Sequence, residues 1–133
     1  MSGPAPERPG FVPGRHLIDA YGAGGFRFAG MSHVGSILAT PLGVQAVSAL
    51  TPDEINASLL EPLFSELAAQ PRSIEFLIVG TGERMARLSE SLRARLRHAG
   101  LRTDAMATGP ASRVYNIMLS ENRRVAALLL AAP

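Results

Sequence analysis

The stretch Ile74-Glu75-Phe76-Leu77-Ile78-Val79-Gly80-Thr81-Gly82 decides the fold. Its apolar end is nearly continuous, which suits a strand covered on both faces. Gly80-Thr81-Gly82 interrupts it, and a helix is expected over about residues 83–99, with Leu88, Leu92 and Leu96 recurring at helical spacing. Gly100 is a natural helix stop. Leu101-Arg102-Thr103-Asp104-Ala105-Met106 reads as the next strand. A helix beginning near Thr108-Gly109-Pro110 and an apolar strand over residues 125–130 complete a strand–helix–strand–helix–strand series. Such alternation implies parallel pairing through right-handed crossovers.

Upstream the pattern is different. Leu17-Ile18-Asp19-Ala20-Tyr21, Phe26-Arg27-Phe28-Ala29, Ser36-Ile37-Leu38-Ala39-Thr40 and Val44-Gln45-Ala46-Val47 are short runs separated by Gly-rich or Pro-Gly breaks. That arrangement argues antiparallel pairing. Thr51-Pro52-Asp53-Glu54 has the form of a capping box, and helix is expected in pieces to about residue 69, with Pro62 as a kink or a fresh start. Residues 1–14 carry four prolines and three glycines and are expected to form a flexible arm before a domain over residues 15–133. The expected fold class is α/β, a single compact domain. Its mixed central sheet has parallel strand–helix–strand crossovers, and an antiparallel β-hairpin layer is added to it.

Composition narrows the function. The chain has 133 residues, 47% of them hydrophobic and 18% charged, so it is globular rather than disordered. It contains no Cys, which excludes disulfides, thiolate metal sites and a cysteine nucleophile. It contains no Lys, which excludes a lysine Schiff base and a P-loop lysine. The formal charge is only +2, so the pI of 9.9 reflects the scarcity of groups titrating between His and Arg. Arg84, Arg87, Arg93, Arg95 and Arg97 cluster, but Glu83 and Glu90 interrupt them and no aromatic platform accompanies them. They read as a solvated helix face, and specific nucleic-acid binding is not expected. No stretch reaches the length of a membrane span and the start lacks a signal-peptide core, so a cytoplasmic location without membrane insertion is expected.

Two segments carry the candidate chemistry. Gly80-Thr81-Gly82 follows an apolar strand as a dinucleotide loop would, but the third glycine of that fingerprint falls at Met85. The simpler reading is a tight strand-to-helix turn. The second segment is Thr108-Gly109-Pro110-Ala111-Ser112-Arg113-Val114-Tyr115-Asn116. Thr108 or Gly109 would cap the helix, and Arg113 and Asn116 lie about one turn apart. If the two strand-to-helix loops are neighbours, Gly80, Thr81, Gly82, Thr108, Gly109, Arg113 and Asn116 would share one crevice, with Arg113 offering a forked cation to an anion. The bland reading is an ordinary amphipathic helix, with Arg113 paired to Glu121 or water. Asp19 within a strand needs a partner or an exposed face, and Arg27 is the candidate. Tyr21, Phe26, Phe28 and Tyr115 read as core. His16, His33 and His98 show no metal-ligand spacing, so neither metal nor cofactor is expected.

The chain resembles a domain-of-unknown-function family. That family is shared by small bacterial and archaeal proteins, mitochondrial complex I assembly factor three and the adipogenesis-associated domain protein. The resemblance rests on Ile18-Asp19-Ala20-Tyr21-Gly22-Ala23-Gly24-Gly25-Phe26-Arg27-Phe28, on Leu77-Ile78-Val79-Gly80-Thr81-Gly82, and on Met106-Ala107-Thr108-Gly109-Pro110-Ala111-Ser112-Arg113-Val114-Tyr115-Asn116 with Glu121 and Arg124. It implies one compact α/β domain and no established enzyme activity. Family members mostly carry Thr before the Tyr-Asn pair, where this chain has Val114. The assembly factor suggests protein binding. The functional expectation is therefore a non-enzymatic binding or assembly module with a protein partner, linked to respiratory-complex biogenesis. The alternative is a protein that binds a small molecule or anion, or an unrecognised enzyme, using the crevice at the strand–helix loops.

Overall fold

The computed structural model of the chain describes residues 10–133. Strands β1 (Phe11–Pro13), β5 (Ser36–Thr40), β6 (Gly43–Val47), β7 (Phe76–Gly80), β8 (Arg102–Met106) and β9 (Val125–Leu129) form one sheet in the order β1-β6-β5-β9-β7-β8. β7 runs parallel to both β8 and β9, while β5 pairs antiparallel with β9 and β6. β2 (Ala20–Gly22), β3 (Gly25–Phe28) and β4 (Met31–Val34) form a separate antiparallel sheet. The helices are α1 (Glu61–Ala69), α2 (Glu90–His98) and α3 (Thr108–Ser120). The mixed α/β architecture with its hairpin layer is the one expected from the sequence.

Strand alternation explains the two cores. In β9, Ala126 and Leu128 join Leu77, Val79 and Leu38 in a cluster with α1 and α2. Val125, Ala127 and Leu129 turn the other way and join Ile78, Ile37, Phe26, Phe28 and Tyr115 under α3 and the hairpin layer. Both faces of β7 and β9 are buried almost throughout, so these strands are apolar at every position instead of every second one.

Several boundaries differ from expectation. The helix expected over residues 83–99 begins only at Glu90. The Thr81 hydroxyl accepts from the Ala86 N–H at 3.0 Å and donates to the Arg84 carbonyl at 2.7 Å, folding this segment into a turn. Ser89 then caps α2 by accepting from the Leu92 N–H. Leu88, Leu92 and Leu96 are buried, as their spacing predicts, although Leu88 precedes the helix. The helix expected in pieces over residues 51–69 is a 3₁₀ turn at Pro52–Glu54 followed by α1. Glu54 accepts from the backbone N–H groups of Leu50 and Thr51. These bonds, the Leu50 N–H first, hold its carboxyl below the usual range.

The first nine residues of the expected arm lie outside the described residues. Its end is no arm: Phe11–Pro13 is a strand paired with β6. Phe11 and Val12 are half-buried there. Leu17-Ile18-Asp19 leads into β2 rather than belonging to it, with the Asp19 N–H donating to the Arg27 carbonyl. Arg27 stands opposite Ala20 in the register. β4 escaped the sequence reading because Met31-Ser32-His33-Val34 faces largely outward and shows no apolar run. Its turn is legible afterwards: Ala29 and Gly30 both adopt positive φ, as a two-residue hairpin linking Phe28 to Met31 requires.

Candidate functional site

Because β7 and β8 are parallel neighbours, their following loops share the carboxyl edge of the sheet. The expectation that Gly80-Thr81-Gly82 lies beside Thr108-Gly109 describes the structure. Thr108 is the joint. Its hydroxyl accepts from the Gly82 N–H at 2.9 Å and donates to the Leu130 carbonyl at 2.7 Å, and its own N–H donates to the Gly82 carbonyl. This one side chain ties the ends of β7 and β9 to the start of α3. Gly80 lies so close that a Cβ there would stand 2.9 Å from the Thr108 Cα. The close approach of α3 therefore requires a glycine at this position.

The hydroxyl's commitment also moves the cap. Ala107, not Thr108 or Gly109, occupies the N-cap position, and no side chain caps the helix. Ser112 bonds back to the Thr108 carbonyl at 2.8 Å. Tyr21 was expected in the core. It instead lies across the first turn of α3, where its hydroxyl occupies the space a Gly109 side chain would need, and it remains 46% exposed. Phe26, Phe28 and Tyr115 are buried as expected. Burial pushes the Tyr115 hydroxyl up to about 12.

Arg113 and Asn116 do not meet at this edge. Asn116 grips the backbone of Ile18: its Oδ1 accepts from the Ile18 N–H at 2.8 Å and its Nδ2 donates to the Ile18 carbonyl at 2.8 Å. The amide thereby fixes the segment leading into β2. Arg113 is exposed, on the solvent stripe shared with Ile117 and Ser120. At about 3.6 residues per turn it points roughly 140° around α3 from Thr108. It makes no ion pair with Glu121, which instead pairs with Arg123 at 3.3 Å. Sequence reasoning missed Tyr21 over Gly109 and Asn116 on Ile18, since both contacts join segments about ninety residues apart. Among the described residues, no three His, Asp or Glu side chains gather where they could hold a metal ion.

A family model described as a protein of unknown function (DUF498/DUF598) matches residues 18–130. The chain belongs to this family. An uncharacterized protein of Rhodobacter capsulatus is 38% identical over 129 residues, covering 97% of this chain and 94% of that one. NADH dehydrogenase [ubiquinone] 1 alpha subcomplex assembly factor 3 of Xenopus tropicalis is 33% identical over 114 residues, or 86% of this chain. The match spans only 60% of that relative's length. A crystal structure described as an outer membrane protein from Bartonella henselae superposes with a TM-score of 0.84 at 43% identity, covering 91% of this chain and 98% of that one. Among the described residues, no helix is long and apolar enough to cross a membrane. The family's matched region contains Thr108, Asn116 and both glycines of the strand-end loop.

Proposed function

We propose that this chain is a cytoplasmic, non-enzymatic protein-binding module that serves the assembly of a respiratory complex. One observation carries the reading. Three buried hydroxyls at the carboxyl edge, where an α/β domain usually places its chemistry, are bonded to the fold itself: Thr81 to Arg84 and Ala86, Thr108 to Gly82 and Leu130, Ser112 to Thr108. Groups committed in this way hold strands together and are not poised to donate to a substrate. The likeness to a complex I assembly factor supports the same reading and supplies the class of partner.

The test is made in the native host. The tagged full chain, captured after mild crosslinking, should retain a protein partner in stoichiometric yield, and cell fractionation should place it in the cytoplasm. Deleting its gene should leave complex I as smaller subassemblies on native gels. The second reading, anion binding by the loop backbone at Gly80, Thr81, Gly82, Thr108 and Gly109 without Arg113, makes the opposite demand. Phosphate or citrate would then raise the melting temperature of the wild type saturably and leave Thr108→Val unmoved. That result, with no protein captured, would overturn the assembly reading.

A further inference from the structure

Among the described residues β8 is the last strand of the large sheet, and its outer edge is open. The Arg102 N–H donates to the Glu75 carbonyl at 3.0 Å and the Met106 carbonyl accepts from Thr81 at 2.8 Å, so the even-numbered residues of β8 face β7. In a parallel ladder the alternate residues point the other way. Thr103 and Ala105 therefore present N–H and C=O groups at the free edge, and among the described residues none of these groups has a partner. The opposite edge of the sheet is blunted: β1 is three residues long and ends in Pro13. β8 has five residues, no proline and no bulge.

Beside this edge lies a groove of about 510 Å³. Leu88, Leu101 and Ala105 line it, with Met85 59% exposed at its side. Arg87, Arg93, Arg97 and Arg102 also border it, against Asp104 within it and Glu90 next to it. Glu90 bridges Arg93 at 3.2 Å and Arg97 at 3.1 Å, and these bonds, Arg97 first, hold its carboxyl below the usual range. Exposed pairs of this kind are weak and exchange readily. The Thr103 hydroxyl is buried at the groove without a hydrogen-bond partner.

We infer that the β8 edge is a docking surface for an extended acidic segment of a protein partner, which adds to the sheet as a further strand. The inference rests on the reading of the chain as a protein-binding module and names the surface that does the binding. Main-chain bonds to Thr103 and Ala105 supply the pairing, and the arginine rim selects carboxylates. A second copy of this chain is disfavoured, since edge-to-edge pairing would bring two arginine rims together.

The probe is a fluorescein-labelled octapeptide alternating Glu and Val, titrated into the full chain and followed by anisotropy and backbone amide shifts. Saturable binding is expected, with the largest shifts at Thr103 and Ala105. The same peptide N-methylated along one edge should bind at least tenfold more weakly, as should the unmethylated peptide to the Arg93→Glu/Arg97→Glu variant. Ala105→Pro, which removes an outward N–H and leaves the β7 ladder whole, should do the same. The methylated peptide tests the pairing on unaltered protein, so a variant that misfolds does not blunt the experiment. Absence of saturable binding, shifts centred elsewhere, or equal binding of a Lys-Val peptide overturns the inference. So does tighter binding of a single-stranded oligonucleotide, or a β8-mediated dimer that excludes the peptide. If the host partner is captured equally by wild type and by the edge variants, this surface is wrong while the module reading stands. If the peptide binds as expected and no host partner is captured, the module reading fails by itself.

Discussion

At the scale of single residues, Thr108 and Tyr115 give the sharpest tests. Thr108→Val preserves shape and removes the hydroxyl, leaving the buried Gly82 N–H and the Leu130 carbonyl without that partner. Two such losses should cost about 2–4 kcal/mol in urea unfolding, whereas Thr108→Ser should recover most of it. A valine variant as stable as wild type would remove Thr108 from its role as the joint. Tyr115 predicts a pH dependence. Its folded-state value of about 12 lies above the ordinary 10.0, so the folded chain holds this proton more tightly than the unfolded chain does. Its contribution is fully present below pH 10 and is lost as the pH climbs toward 12. The loss should amount to about 2–3 kcal/mol. Unfolding curves at the two ends of that window should show it in wild type and not in Tyr115→Phe; equal losses in both proteins would assign it to other groups.

Elements add a second kind of evidence. In α2 the Leu92 and Leu96 stripe was readable from spacing alone, and both side chains are buried. Leu96→Ala should cost about 2–5 kcal/mol, and a urea midpoint unchanged within error would contradict that burial. The start of α2 was less readable. Helical periodicity runs through Leu88, but Thr81 captures the preceding backbone from across the loop, and Ser89 supplies the cap. Apolar periodicity reports which face of an element is buried; it does not report which nearby hydroxyl will compete for the backbone of its first turn. β1 teaches the same lesson from the other direction. Proline and glycine around Phe11-Val12 argue against regular structure, yet β6 offers an edge for them to pair with. Deleting residues 1–14 should therefore destabilise the domain by about 1–3 kcal/mol through the apolar surface uncovered. A thermal midpoint unchanged by the deletion would show that β1 contributes nothing to stability.

For the whole molecule, the chain's own alternation of strands and helices determined the α/β class and the parallel direction of β7, β8 and β9, whereas the order that seats β9 beside β7 and not β8 came only with the assembled sheet. The class and the direction follow from apolar periodicity and from the handedness of crossovers, which are properties of contiguous segments. Composition excluded cysteine and lysine chemistry outright. Tertiary structure alone decided what the loop residues do. Asn116 was legible as a polar group on a helix, but its partner Ile18 lies 98 residues earlier, and no local pattern connects them. Tyr21 has the composition of a core residue, yet it rests on Gly109 at the surface because the hairpin layer brings it there. The open edge of β8 is likewise invisible in the sequence Arg102-Thr103-Asp104-Ala105-Met106. Whether a strand is central or terminal depends on where every other strand pairs, and that is settled only when the whole sheet has formed.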